Sequence, residues 1–260
     1  MITKVLLIIL AVPAAFLALV LLFLLLMAVS MLFVDPKKLY DRQTPYFRFL
    51  RDWTDWIIIF FSHIRVKVIG AEKLPADHRY LLVSNHRSNY DPLCVLYGLR
   101  KENIIFISKP ENFDIPVIGR LARANCFRPI DRENARNALV TIKDCARLLK
   151  EGAGPIGVYP EGTRSKTGEM LPFHNSVFKV AQDANAPIVV MTVKGTDVIH
   201  SRAPWKRSDV TLEILDVLSA EHVKGSRTAA LGEEIRAMML ENLKYHSSHA
   251  LPEKGLQRQC

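Results

Sequence analysis

The chain has 260 residues, of which 49% are hydrophobic and 23% charged, and a formal net charge of +9 at neutral pH. That composition is too apolar for a disordered chain, and the length suits one or two domains. The four cysteines, Cys94, Cys126, Cys145 and Cys260, show neither paired nor metal-ligand spacing, which argues against a disulfide framework or a metal site.

The first predicted element is apolar throughout. Thirty residues from Val5 to Val34 carry no charge. As a helix this run would reach roughly 45 Å at about 1.5 Å per residue, against a hydrocarbon core about 30 Å thick. It is about twice the roughly 7–15 residues of a signal-peptide core, although Ala28-Val29-Ser30 loosely imitates a cleavage site. It is also too evenly apolar for a helix in a soluble core. Residues 1–34 are therefore expected to be membrane-embedded, as a single span or as a hairpin broken at Pro13. Only Lys4 precedes the run, whereas Lys37, Lys38, Arg42, Arg48 and Arg51 follow it, which puts the body of the chain on the cytoplasmic side of a cell's inner membrane. Lys4 accounts for +1 of the +9, so +8 resides on that body. Such a charge suits membrane lipids or a phosphorylated substrate. Nucleic acid is not expected, because the basic residues form no single run and accompany no nucleic-acid motif.

Residues 35–64 form a junction rich in aromatics, among them Tyr46, Phe49, Trp53, Trp56, Phe60 and Phe61. Two readings stand equal: a helix lying at headgroup level, or a first helix packed on the core. From Arg65 strand and helix patterns alternate. RVKVIG and RYLLVSN read as strands. DPLCVLYGL reads as a short helix with Asp91 as its cap and Pro92 at its first position. NIIFIS is a strand, IPVIGRLARA a helix and CFRPI a short strand. Residues 133–151 carry the strongest helical period, through Ala135, Leu139, Ile142, Ala146 and Leu149. PIGVYP, APIVVMTVKG and VTLEILDVL read as strands, and SVFKVAQDA and TAALGEEIRAMMLENLKYH as helices. The pattern predicts an α/β fold, a mixed sheet flanked by helices, over residues 65–246, with a loose tail at 247–260.

Three polar segments interrupt this pattern where strands end. In the first, eight consecutive residues from Ser84 to Asp91 carry a polar group or hydroxyl between two apolar runs. Singly, His86 fits an ordinary loop and Asp91 an N-cap. Together, a turn can bring the carboxylate back to the imidazole Nδ1–H, leaving Nε2 to accept a proton. That is two thirds of the serine-protease arrangement without its serine, so the hydroxyl would come from the substrate. The second segment is VYPEGTRS. Gly162 there admits a close ligand and Arg164 offers a planar fork to phosphate, or the segment is a plain polar turn. The third is CFRPIDR, which delivers Arg128, Asp131 and Arg132, with a helix cap plus a solvated arginine as the simpler reading. All three fall at strand ends, where open α/β sheets bind ligands.

NHRSNYD, FRPIDR, YPEGTRS and APIVVMTVKGT, in this order over about residues 65–200, resemble the four sequence blocks of the glycerolipid acyltransferases. The likeness is strongest to the short, bacterial type of 1-acylglycerol-3-phosphate acyltransferase with an N-terminal membrane helix. The resemblance implies transfer from an acyl thioester, on coenzyme A or acyl carrier protein, to the sn-2 hydroxyl of lysophosphatidate, giving phosphatidate. It implies His86 as general base and Asp91 as its orienting group. Arg132, Glu161, Gly162, Thr163 and Arg164 would hold the glycerol phosphate, with Lys109 nearby. Neither a metal, a further cofactor nor a covalent acyl-enzyme is implied. Three positions depart from the pattern: Asn125 stands where the second block often has glycine, His174-Asn175-Ser176 where many members read lysine, any residue, glycine, and Val190 where a second proline is usual. These leave open a different acceptor, such as a lysophospholipid, glycerol 3-phosphate or a lyso-ornithine lipid. A silent, membrane-tethered module binding anionic lipid is the rival outside enzymes. A serine hydrolase using Ser84 or Ser88 would lack its Gly-x-Ser-x-Gly elbow.

Overall fold

The computed structural model describes residues 2–165 and 169–249. Its helices are α1 (Ile2–Leu32), α2 (Pro45–Phe61), α3 (Tyr90–Gly98), α4 (Ile118–Ala124), α5 (Ala135–Lys150), α6 (Lys179–Ala184), α7 (Ile199–Arg202), α8 (Ala220–Gly225) and α9 (Thr228–His249). The strands are β1 (Ile64–Ile69), β2 (Leu81–Ser84), β3 (Ile105–Ser108), β4 (Arg128–Pro129), β5 (Ile156–Val158), β6 (Ile188–Lys194) and β7 (Ser208–Leu218). They form one sheet in the order β1-β7-β6-β2-β5-β3-β4. The five strands from β6 to β4 are parallel; β7 pairs antiparallel with β6, and β1 runs with β7. The sheet is mixed and flanked by helices, as the alternating pattern predicts.

Alternation along the strands builds a core on each face. Leu81, Val83, Ile105, Ile107, Ile188 and Val190 point into a layer shared with Ile142, Leu149, Val180 and Ile235 of α5, α6 and α9. Tyr80, Leu82, Phe106, Val189 and Met191 point the other way, against Cys94, Val95 and Leu96 of α3 and Ile59 of α2. Because strands this buried are apolar on both faces, the sequence shows them as short continuous runs rather than alternating ones.

Helix α1 passes through Pro13 without a break, so its first half is not a hairpin. Residues Ile9–Leu32 are long and apolar enough to cross a membrane by length and composition. The second half of α1 lies antiparallel along α2: Phe16 meets Phe60 and Phe61, Phe23 meets Phe49 and Trp53, and the Ser30 and Tyr46 hydroxyls are 2.6 Å apart. Met27, Met31 and Val34 join Leu50 of α2 and Leu121 of α4 in a third apolar cluster. Helix α2 combines the two readings of the junction at the level of packing: Leu50, Thr54, Ile57 and Ile59 are buried, while Phe49, Trp53, Phe60 and Phe61 stay exposed.

Several boundaries differ from the sequence expectation. Helix α3 starts at Tyr90 with Asn89 before it, so Asp91 is not its cap and Pro92 is its third residue. Proline is tolerated there because the first four amides of a helix lack intrahelical partners. Helix α4 starts only at Ile118, since Pro116 and the left-handed backbone of Val117 (φ 66°) hold off regular geometry. The left-handed residue of the second block is Cys126 (φ 65°), one position after Asn125. Asn125 itself is buried and donates its amide to Phe47 O and Leu121 O, tying α4 to α2. Residues 247–249, expected to be loose, continue α9; the remainder of that tail lies outside the described residues.

Candidate active site

The polar stretch after β2 is held by its own side chains. Asn85 is buried and forms a two-way pair with β6: its amide donates to Val193 O at 3.0 Å, and its Oδ1 accepts from Val193 N at 2.8 Å. The next residue, His86, is thereby fixed at the end of the sheet. Its Nδ1 lies 2.8 Å from Asp91 Oδ2. The same Oδ2 accepts the backbone N–H groups of Arg87 at 2.7 Å and Ser88 at 2.8 Å, and Oδ1 accepts the Thr196 hydroxyl at 2.5 Å. Asp91 is fully buried, and four converging donors are what a carboxylate charge needs in such a place. Three of the donors, on His86, Arg87 and Ser88, are on the loop preceding α3, which is why Asp91 sits in the first turn and reaches backward instead of capping; the fourth, Thr196, comes from beyond β6. With a proton on Nδ1 donated to this carboxylate, Nε2 is the nitrogen left to act as a base. The imidazole keeps 17% of its side chain exposed and stacks at 4.4 Å on the Tyr159 ring.

The segment after β5 grips the backbone of the same histidine. Glu161 is buried; its Oε1 accepts from His86 N at 2.7 Å and its Oε2 from Leu171 N at 2.8 Å. Ser165 N then donates to His86 O at 3.3 Å. Burial pushes the Glu161 carboxyl above its ordinary value, with the two amides working against the shift. Gly162 adopts φ 74°, and a Cβ built on it would lie 2.7 Å from His174 and 3.3 Å from an Arg132 nitrogen. The glycine is required both for the turn and for the approach of these two side chains.

Arg132 and His174 open onto a cavity of about 300 Å³, to which Lys179 adds a third basic group over walls of Ile107, Ile130, Leu139 and Val158. Tyr159, which stacks on His86, forms part of the same lining. Burial lowers the Arg132 guanidinium from its ordinary value, with the charge of Glu111 opposing.

The sequence candidates thus divide. His86, Asp91, Glu161 and Gly162 form one connected unit, with Arg132 beside it. Thr163, Arg164 and Lys109 are exposed at the same end of the sheet and line none of that cavity. Glu161, expected among the headgroup ligands, has both oxygens engaged by backbone amides. Arg128 turns inward: fully buried, it bonds Asp144 and Asp41 at 2.6 Å each and the carbonyls of Tyr40 and Cys126. Asp131 does not cap α5; Asn134 does. Thr196, Tyr159 and Lys179 were not singled out in the sequence. For Thr196 the signal was the preceding Gly195 after an apolar run; the structure shows why it is glycine, since it adopts φ 84° and an added Cβ would meet Asp209 O. Among the described residues no group of three His, Cys, Asp or Glu could hold a metal ion.

The family model described as Acyltransferase matches residues 65–194, half of the chain. A chloroplastic 1-acyl-sn-glycerol-3-phosphate acyltransferase of Brassica napus is 32% identical over 72% of this chain and 53% of its own length. The enzyme of the same name from Saccharomyces cerevisiae is 29% identical over 69% and 60%, and the alpha form from Mus musculus 28% over 72% and 67%. The chain therefore spans a little over half to two thirds of these relatives. The crystal structure of the 1-acyl-sn-glycerophosphate acyltransferase of Thermotoga maritima shares the fold, with a TM-score of 0.61 and 22% identity over 78% of this chain and 83% of that one. With the four blocks falling at the strand ends that carry the His86–Asp91 unit, this chain belongs to the acyltransferase family.

Proposed function

We propose that the protein transfers an acyl group from a thioester of coenzyme A or acyl carrier protein to the sn-2 hydroxyl of 1-acyl-sn-glycerol 3-phosphate, releasing phosphatidate and a free thiol. One observation carries the reading: the 2.8 Å contact of His86 Nδ1 with a buried carboxylate that three further donors hold in place. An alcohol is a weak nucleophile at neutral pH, and a positioned base contributes roughly 10²–10⁴-fold. In this scheme Nε2 takes the hydroxyl proton as the oxygen attacks the thioester carbonyl. The tetrahedral adduct then collapses with cleavage of the C–S bond, and the imidazolium returns the proton to the departing thiolate.

Arg132, His174 and Lys179 face the acceptor's phosphate, with Arg164, Thr163 and Lys109 contributing from the exposed loops. Gly162 leaves room for their approach. Glu161 is assigned to positioning, because it is buried, lines none of the cavity and bonds the amides of His86 and Leu171. Helix α1 anchors the enzyme in the membrane, with the catalytic body on the cytoplasmic side, so that both acyl chains reach the site from the lipid phase.

A different lyso-acceptor is the second reading, motivated by His174 at a position where the family pattern often has lysine. Purified full-length protein, labelled oleoyl-coenzyme A and a panel of lysophosphatidate, lysophosphatidylcholine, glycerol 3-phosphate and lyso-ornithine lipid separate the two. Lysophosphatidate is expected to give a kcat/KM at least tenfold above the others. Faster turnover of another member would transfer the assignment to that acceptor, and no turnover on any would leave the silent-module reading.

A further inference from the structure

A second basic cavity lies at the other end of the sheet. Gln43, just before α2, donates its side-chain amide to Asn103 O at 2.9 Å, immediately ahead of β3, so the start of α2 sits where the parallel strands begin. His86 sits where β2 ends. Beside the start of α2 is a groove of about 770 Å³ lined by Arg42, Arg48, Arg100, Phe49, Trp53 and Trp56. Arg42 and Arg100 are exposed and Arg48 half-buried, and among the described residues none of the three forms an ion pair. The acid on the groove, Asp52, is taken up by Arg51 at 2.7 Å. Three uncompensated guanidinium groups therefore surround one opening.

The aromatic wall continues beyond the groove. Phe49 touches Trp53 at 6.0 Å, Trp53 touches Trp56 at 5.3 Å and Trp56 stacks on Phe60 at 5.2 Å. Phe60 in turn meets Phe16 of α1, whose neighbours Leu17, Leu19, Leu21 and Leu22 are exposed. A ligand seated here finds cations at one end and an unbroken apolar track leading away from them. A free phosphate would use only the first, and a soluble nucleotide could stack its base on one ring but has no chain to follow the rest of the track toward α1. A phospholipid uses both: its phosphate meets the arginines while its chains follow the ring ladder toward α1.

We propose that this groove binds the headgroup of an anionic phospholipid, as a site separate from the acyl-transfer centre. The proposal does not rest on the acyl-transfer reading. Its physical content is charge selectivity, since the apolar track alone would accept zwitterionic lipid equally well. Trp53 and Trp56 report on the site directly, and Trp205, exposed elsewhere, is removed as Trp205→Phe in every sample.

Full-length protein in neutral detergent is titrated with brominated phosphatidylglycerol or brominated phosphatidylcholine, with quenching of tryptophan fluorescence as the readout. Half-quenching by the anionic lipid is expected at a concentration at least tenfold lower. Replacing an arginine by alanine is expected to weaken it about fivefold, the effect of one basic residue at an anionic surface. The combined Arg42→Ala, Arg48→Ala and Arg100→Ala variant should lose the preference while keeping its circular dichroism and its rate on detergent-dispersed lysophosphatidate. Should that variant fold poorly, Arg100→Glu alone, on an exposed position, must still weaken anionic quenching more than fivefold. Equal quenching by both lipids in the unaltered protein, or an undiminished preference in the variants, overturns the proposal. Displacement of the lipid by coenzyme A or by inorganic phosphate also overturns it, in favour of a donor-nucleotide or free-phosphate site.

Discussion

Glu161 is the residue whose role the geometry redefines most. Each of its oxygens accepts one backbone amide, from His86 and from Leu171, and the buried side chain lines none of the cavity where a substrate would sit. In Glu161→Gln one of these acceptors becomes an NH2 group facing an N–H donor. Losing a bond to a charged acceptor costs about 1.5–3 kcal/mol, and here the bond lost is one that holds the backbone of His86, the proposed base. We expect kcat to fall roughly 10–100-fold with the acceptor KM within twofold of the unaltered enzyme, measured by steady-state kinetics. A raised KM with an unchanged kcat would return Glu161 to the headgroup site. At this scale the sequence is informative about chemistry and silent about orientation. The spacing of His86 and Asp91 is enough to expect their contact, because both lie within one turn. Nothing in FRPIDR distinguishes Arg128, which turns inward to Asp41 and Asp144, from Arg132, which opens onto the cavity. Nor does it reveal that Thr196, 105 positions from Asp91, would complete the carboxylate's shell.

Helix α2 carries the tension of the next scale. It is stabilised by burying Leu50, Ile57 and Ile59, yet the same face buries Asp55, whose Oδ2 has no hydrogen-bond partner. Burial pushes the Asp55 carboxyl up from its ordinary 3.8 to about 8, partly countered by Arg51. The sign follows from linkage. The folded state holds this proton more tightly than the unfolded one, so its stabilising effect is full below about pH 4 and is lost as pH rises to about 8. Asp55→Asn removes the titration. The variant should be more stable than the parent by a few kcal/mol at pH 8, with the difference shrinking toward pH 4, as followed by thermal unfolding in detergent. A variant less stable than the parent at pH 8 would mean that the charge has a partner in the folded state. Element types were legible from apolar runs and breakers, and the ends of all seven strands fall within two residues of their expected positions. The short α7 and α8 were not, because four to six residues are too few to display a helical period. The start of α3 was misplaced since a capping aspartate and one that reaches backward look alike in sequence.

For the whole molecule, the parallel part of the sheet gathers four chain-distant segments at one end, and the reversed pair β1 and β7 closes one edge. That reversal brings the end of α2 round to the side of the sheet that carries His86, while its start and the arginine groove stay at the opposite side. Strand order was not readable from the sequence, because buried strands of Val, Ile and Leu carry no mark of their neighbours. The end of the sheet at which the polar blocks gather was readable, since each of them follows a strand. The most direct test of the central claim compares the unaltered protein with His86→Ala in one proteoliposome assay, using labelled oleoyl-coenzyme A and lysophosphatidate, with vesicle flotation on the same samples. Phosphatidate formation should fall by at least about 10²-fold while both proteins float equally. Turnover within a few-fold of the unaltered protein would contradict the assignment of His86 as the base.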